Sequence, residues 1–340
     1  MHIGGGPPHP PPPADGHDST VVELAAVTKT YRRGVVALDG LDLSVPTGGV
    51  FGIIGPNGCG KTTTLRVLLG LARADSGTAS LLGQRVPKGL GSVRSRIGAL
   101  VETPKFFPNY SGRLNLELLA GLKGVDRGHV DVVLERVGLV GREDDRFGGY
   151  SLGMRQRLAV AGAMLGDPEL LILDEPANGL DPAGIAAMRD MLAAFGATGR
   201  TVVVSSHHLT DVERICDRVA VVARGRVVAS GTVRAIAGDH HDVRLVVRHP
   251  ERASEVLRSA GFAVEAAGSG GSLVVRGAEA ESVARALGAE DIYPSELGSD
   301  TGGLEEAYLR LTGVDPLAGG HGGIAAGTSG GGPEDRRGRQ

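Results

Sequence analysis

The sequence predicts an α/β protein, with a mostly parallel sheet covered by helices, an antiparallel β layer, a helical subdomain and a small α+β module at the C-terminal end. Three observations carry that prediction. Between residues 21 and 238 short β-branched runs alternate with longer stretches of helical periodicity, as strand–helix–strand units do. Residues 50–54, 170–173 and 201–204 are apolar without alternation, as strands covered on both faces must be. After residue 238 the texture changes to shorter strand and helix patterns that suit a separate small module.

Taken in order, residues 1–20 are a Pro/Gly/His tail whose composition cannot bury enough surface to fold. Its His2, His9 and His17 read as scattered solvated side chains rather than a metal tract. Residues 21–46 alternate around Gly34 and Gly40 and suit an antiparallel hairpin. Residues 50–54 form a buried strand and residues 61–71 the helix after it. Ser151 is a good N-cap for a helix over 152–165, with apolar residues at Leu158, Ala161 and Leu165. The main domain is expected to span 21–238, with its helical subdomain at about 102–165. Residues 239–313 are expected to form the small module. There, strands at 243–247, 272–275 and 291–293 and helices at 251–260 and 279–287 suggest a βαββαβ order, closed by a helix at 304–311. Residues 314–340 read as a Gly-rich disordered tail.

Composition excludes several classes of protein. A 41% apolar fraction rules out global disorder. With 36 basic against 39 acidic residues there is no basic footprint, so no nucleic-acid partner is expected. Two cysteines, Cys59 and Cys216, and a Gly/Pro-rich start without an apolar core suggest a reducing, cytoplasmic compartment. No apolar run approaches the roughly 18 residues a membrane helix needs.

The strongest chemical signal is Gly55-Pro56-Asn57-Gly58-Cys59-Gly60-Lys61-Thr62, set between a predicted strand and a predicted helix. Glycines let successive N–H groups converge on phosphate oxygens, and the helix start adds its positive dipole end. Lys61 then suits the β- and γ-phosphates and the Thr62 hydroxyl a Mg²⁺ shell. Cys59 lies beside the helix start, where a thiol can be activated; a small packed residue is the plainer reading. Asp174-Glu175 emerges at the carboxyl end of a buried strand, the edge where open α/β sheets bind ligands. Its first carboxylate suits Mg²⁺ and its second suits the water that attacks the γ-phosphate.

Tyr150-Ser151-Leu152-Gly153-Met154, followed by Arg155-Gln156-Arg157, resembles the LSGGQ signature of the ATP-binding cassette ATPases, and the likeness runs through residues 21–238. The resemblance implies an ATP- and Mg²⁺-dependent ATPase with the family's cassette fold. It implies ATP contacts from Tyr31, stacked on adenine, and from Gly55 to Thr62 and Thr63. It implies Mg²⁺ ligation by Thr62, Asp174 and Glu102, and catalysis by Glu175 and His207, with His208 the competing candidate. Ser151, Leu152, Gly153 and Met154 would complete the γ-phosphate site of a second cassette. Gly179-Leu180-Asp181 resembles the loop along the dimer seam, which gives Asp181 its place. Two departures stand out: Glu102 occupies a position where the family has Gln, and Leu152 replaces the first signature glycine.

The family also implies partners. A separately encoded multi-span permease and a second cassette, identical or paralogous, are expected at the cytoplasmic face of the membrane. Glu102, the Ser-Leu-Gly-Met-Arg-Gln-Arg form of the signature and the C-terminal extension resemble exporters of drugs, antibiotics or lipid-like compounds. The rival is a soluble cassette ATPase acting on ribosomes or nucleic acid, although such members resemble paired or coiled-coil-interrupted cassettes. A degenerate, non-hydrolysing cassette is argued against by Glu175. Phe106-Phe107-Pro108-Asn109-Tyr110, in a chain only 3% aromatic, is either an anchor for the permease or packing for the helical subdomain.

Overall fold

The computed structural model describes residues 19–102, 105–237, 242–266, 271–300 and 303–312. The tails expected at 1–20 and 314–340 lie outside the described residues, apart from Ser19 and Thr20. Strands β1 (Thr20–Tyr31) and β2 (Val35–Pro46) form the expected hairpin, with Val22 opposite Val45 and Tyr31 opposite Val35. Strand β3 (Gly49–Ile54) leads through the glycine loop into α1 (Lys61–Leu68). Strands β4 (Ser76–Leu81) and β5 (Gln84–Val86) join the hairpin in a four-stranded antiparallel sheet, β2-β1-β4-β5.

A short α2 (Leu90–Val93) and β6 (Ile97–Leu100) precede the helical segment of α3 (Gly112–Lys123), α4 (Gly128–Arg136) and α5 (Leu152–Met164). The chain then alternates through β7 (Leu170–Asp174), α6 (Pro182–Ala197), β8 (Thr201–Ser206), α7 (Leu209–Ile215) and β9 (Arg218–Ala223). Strand β10 (Arg226–Thr232) and α8 (Val233–Ala237) end this part. The second sheet has the order β10-β9-β3-β8-β7-β6, parallel throughout except that β10 runs against β9.

The unbroken apolar runs are explained by what covers this sheet. Phe51, Ile53, Ile172 and Val203 face the antiparallel sheet and the Leu65–Leu68 side of α1. Val50, Ile54, Leu171, Leu173, Val202 and Val204 face the other way, against residues of α3 to α7. Each strand is therefore apolar at every step. Gly52 of β3 is needed for closeness: a Cβ there would stand 3.0 Å from both Cys216 Sγ and Val212 Cγ1.

The third unit contains β11 (Asp242–Val246), α9 (Pro250–Ser259), β12 (Ala263–Ala266), β13 (Ser272–Arg276), α10 (Ala280–Gly288) and β14 (Glu296–Asp300). Its antiparallel sheet has the order β12-β13-β11-β14, and Val243, Leu245, Ala253, Leu257, Val275, Val283 and Leu287 make its own core. One expectation changes here. The last strand lies at Glu296–Asp300 and not at 291–293, where Asp291 turns with φ +56° and Ile292 packs into the core. Strand β12 is the second strand of the expected βαββαβ order, to which no residues were assigned, and it pairs with β13.

A larger change concerns the closing helix, α11 (Leu304–Thr312). Its i, i+3, i+4 stripe of Leu304, Ala307 and Tyr308 does not complete the small module. Leu304 and Tyr308 are buried in the core of the first unit, and the helix packs on α7, α8 and β10. Periodicity revealed the stripe but not the body that covers it.

Candidate functional site

The loop after β3 is built around its glycines. Gly60 has φ +116°, and a Cβ there would stand 2.6 Å from the carbonyl oxygen of Ala37, so no other residue fits. The Cys59 carbonyl accepts the N–H of Gly225 at 2.9 Å, tying the loop to the turn between β9 and β10. Pro56, Asn57 and Gly58 form its accessible rim, whereas Thr63 is buried in α1. Cys59 is only 5% exposed, and burial raises its thiol pKa against the opposing pull of Lys61. The thiol is a small packed group and not an activated one.

Lys61 lies inside the loop. Its Nζ donates to the Gly55 carbonyl at 2.7 Å and the Pro56 carbonyl at 3.3 Å, and stands 3.4 Å from Glu175 Oε1. Parallel register sets the partners: Asp174 of β7 lies level with Ser205 of β8, and Ile54 of β3 with Ser206. Thr62 Oγ1 donates to Asp174 Oδ2 at 2.8 Å, and the Ser205 hydroxyl donates to the other Asp174 oxygen. The Glu175 N–H donates to Ser205 Oγ at 3.0 Å, and Glu175 itself turns at φ +48°. Its Oε2 is 2.9 Å from His207 Nδ1. His207, not His208, reaches this carboxylate; the His208 ring lies alongside at 3.9 Å between centroids. Ser205 was not singled out from the sequence, although its place at the end of a buried strand was the available signal.

Ser151 caps α5, its Oγ accepting the Met154 N–H at 3.3 Å, with Gly153 in the first turn. Leu152 is exposed and lies across Gly179, where a Cβ would come within 2.7 Å of its Cδ2. That contact gives the leucine a packing role in place of the family's glycine. Asp181 caps α6, accepting the Gly184 N–H at 3.0 Å. Between these helix starts and the carboxylates opens a cleft of about 580 Å³, lined by Glu102, Leu152, Arg155, Gln156, Asp174 and Glu175.

Tyr31 is 37% exposed, with Lys29 Nζ 5.6 Å from its ring centre. Glu102 lines the cleft with Asp174 and Glu175, and its carboxylate is engaged by Arg66. It turns at φ +75° and its Oε1 accepts from the Arg66 guanidinium at 2.5 Å. Partial burial lowers the Arg66 pKa, but contacts with Glu102 and Tyr31 outweigh it and hold the pKa above the ordinary value. Arg66 was not foreseen from the sequence: it lies one turn beyond the loop, and only the fold brings it to Glu102.

A family model for the ABC transporter matches residues 38–178. The ABC transporter ATP-binding protein YhcH of Bacillus subtilis is 39% identical over 86% of this chain and 96% of its own length. The Nod factor export ATP-binding protein I of Burkholderia orbicola is 34% identical over 86% of this chain and 97% of its own. The bacitracin transport ATP-binding protein BcrA of Bacillus licheniformis is 40% identical over 62% of this chain and 69% of its own. Among solved structures, cbiO1 of Clostridium perfringens, part of the transporter complex cbiONQ, has a TM-score of 0.57. Its sequence is 29% identical, over 63% of this chain and 88% of its own. A dimeric cassette bound to ADP and phosphate after hydrolysis has the same TM-score at 25% identity. With the glycine cradle, the paired carboxylates and the capped signature helix in one chain, the protein belongs to the ABC transporter ATP-binding subunits, which bind and hydrolyse ATP to drive transport.

Proposed function

We propose that this subunit powers an exporter of a drug, antibiotic or lipid-like compound, as one of two head-to-tail cassettes under a separate multi-span permease at the cytoplasmic face of the membrane. The observation that carries the ATPase chemistry is the unbroken chain Lys61–Glu175–His207, held at the carboxyl ends of adjacent parallel strands. Export is supported by the relatives whose names specify bacitracin transport and Nod factor export. No helix among the described residues is long and apolar enough to cross a membrane, so the transport path belongs to the partner. The catalytic unit comprises residues 21–238 together with α11, and the module of residues 242–300 is an accessory to it.

In this reading Lys61 exchanges the carbonyls of Gly55 and Pro56 for phosphate oxygens. Tyr31 offers its accessible ring to the adenine. Glu175 accepts a hydrogen bond from the attacking water, and His207 holds the other carboxylate oxygen so that the first keeps its direction. Thr62 and Asp174 place a hydroxyl and a carboxylate 2.8 Å apart, an all-oxygen pair that fits Mg²⁺, which keeps several waters and takes few protein ligands. When bound, Mg²⁺ draws charge from the phosphate oxygens. Ser151 to Met154 form a capped helix start suited to the γ-phosphate of the partner cassette, with Asp181 along the seam.

The shared site can be tested by mixing two defective proteins, Lys61→Ala and Ser151→Ala. If each site takes Lys61 from one copy and Ser151 from the other, half of the random dimers regain one intact site. Hydrolysis then returns to about a quarter of the wild-type rate. Sites contained within one copy would give no recovery on mixing.

The aromatic cluster divides between its two candidate roles. Phe106 packs edge-on against Phe147 at 5.2 Å within the helical segment. Phe107 and Tyr110 are exposed and pair at 5.2 Å, and α3 carries the accessible Leu114, Leu118 and Leu122, an i, i+4, i+8 stripe suited to a permease loop. Phe107→Ala is expected to keep ATP hydrolysis within about twofold while weakening permease association roughly tenfold or more. Equal loss of hydrolysis and association would return Phe107 to the fold.

A further inference from the structure

We infer that Arg66 is a positioning residue that neutralises and orients Glu102 within the cleft it shares with Asp174 and Glu175, making a glutamate workable where the family has a neutral side chain. The inference rests on the reading that ATP occupies the glycine cradle. Glu102 follows β6 at the carboxyl edge of the parallel sheet and lines the same cleft as Asp174 and Glu175. A third carboxylate there, beside an incoming triphosphate, is a repulsive charge. The structure answers it with one contact, Glu102 Oε1 to the Arg66 guanidinium at 2.5 Å.

Three features mark this pair as more than a chance surface bridge. Glu102 holds φ +75°, a conformation that costs a non-glycine residue free energy and needs an interaction to sustain it. Arg66 projects from α1, the helix that begins with Lys61 and Thr62, so the neutralising charge is fixed to the phosphate cradle. The same guanidinium lines one pocket with Tyr31 and Glu102, so it neighbours the proposed adenine platform. Arg32 and Arg73 line the same pocket, and Lys29, 5.6 Å from the Tyr31 ring centre, is engaged by Asp75 at 3.0 Å.

The test is a double-mutant cycle read as ATP affinity in EDTA, with a fluorescent ATP analogue as the probe, and as kcat and KM with Mg²⁺. Arg66→Ala is expected to raise the dissociation constant and KM about fivefold, with a smaller change in kcat, because an uncompensated Glu102 repels the phosphates. Against a Glu102→Gln background the same substitution should change affinity less than about twofold. Arg66→Lys should recover most of the loss, and the Arg66→Ala defect should shrink as salt is added. An equal loss in both backgrounds would show that Arg66 contacts nucleotide directly and would overturn the inference. So would the absence of any loss, or a loss that matches a lowered melting temperature and is indifferent to salt. A wild-type protein that binds no ATP would instead sink the reading of the cradle itself.

Discussion

Glu175→Gln is expected to lower ATP turnover by about 10²- to 10⁴-fold while leaving ATP bound between two copies of the protein. Glutamine keeps the shape of the side chain but loses the charge that orients and activates the water. Two things then change. Lys61, 3.4 Å from Glu175 Oε1, is freed for the phosphates, and a negative charge facing the γ-phosphate disappears. ATP binding is therefore strengthened as its hydrolysis is blocked. Phosphate release measures the first effect, and sedimentation with and without ATP measures the second. Unchanged phosphate release would remove Glu175 from the chemistry, and an ATP-bound variant that stays monomeric would count against the paired-site reading.

Tyr308→Ala should destabilise the catalytic unit by about 3–5 kcal/mol, although residue 308 follows the small module in sequence. Its side chain is 1% exposed and belongs to the core that includes Leu209, Val212, Val219 and Val221. Truncation to alanine leaves a cavity beside α7, the helix that follows His207. Hydrogen exchange should quicken in α7 and α8, while β13 in the small module keeps its protection. The reverse pattern would place α11 with the module. Tyr308→Phe is the control, since it keeps the ring volume and is expected to cost less than about 1.5 kcal/mol.

These two residues also mark what could be read from the sequence. Glu175 was legible because a strand, a carboxylate pair and an upstream glycine loop constrain one another, and local chemistry defines the phosphate cradle. The buried strands of the parallel sheet could be recognised because both faces are covered and every position is apolar. Ser151 could be recognised as a cap because capping is local. Arg66 and Ser205 were not legible: their roles arise from register and from a contact between residues 36 positions apart. The destination of Tyr308 was hidden for a similar reason, since a stripe at helical spacing does not name its partner. Strand β14 was displaced because ELGSD pairs through main-chain bonds to β11 and has little apolar pattern of its own.

The return of α11 gives the small module an unusual standing in the chain. Its polypeptide departs after α8 and comes back as a helix packed on α8, so the exit and entry points are neighbours. In topological terms the module is an insertion, not an appendage. A segment whose two ends are already pinned side by side adds little closure entropy, and changes in its length cost only logarithmically. The catalytic body can thus accommodate a longer, shorter or wholly different insert at this seam, provided that the helix beginning at Leu304 still finds its place.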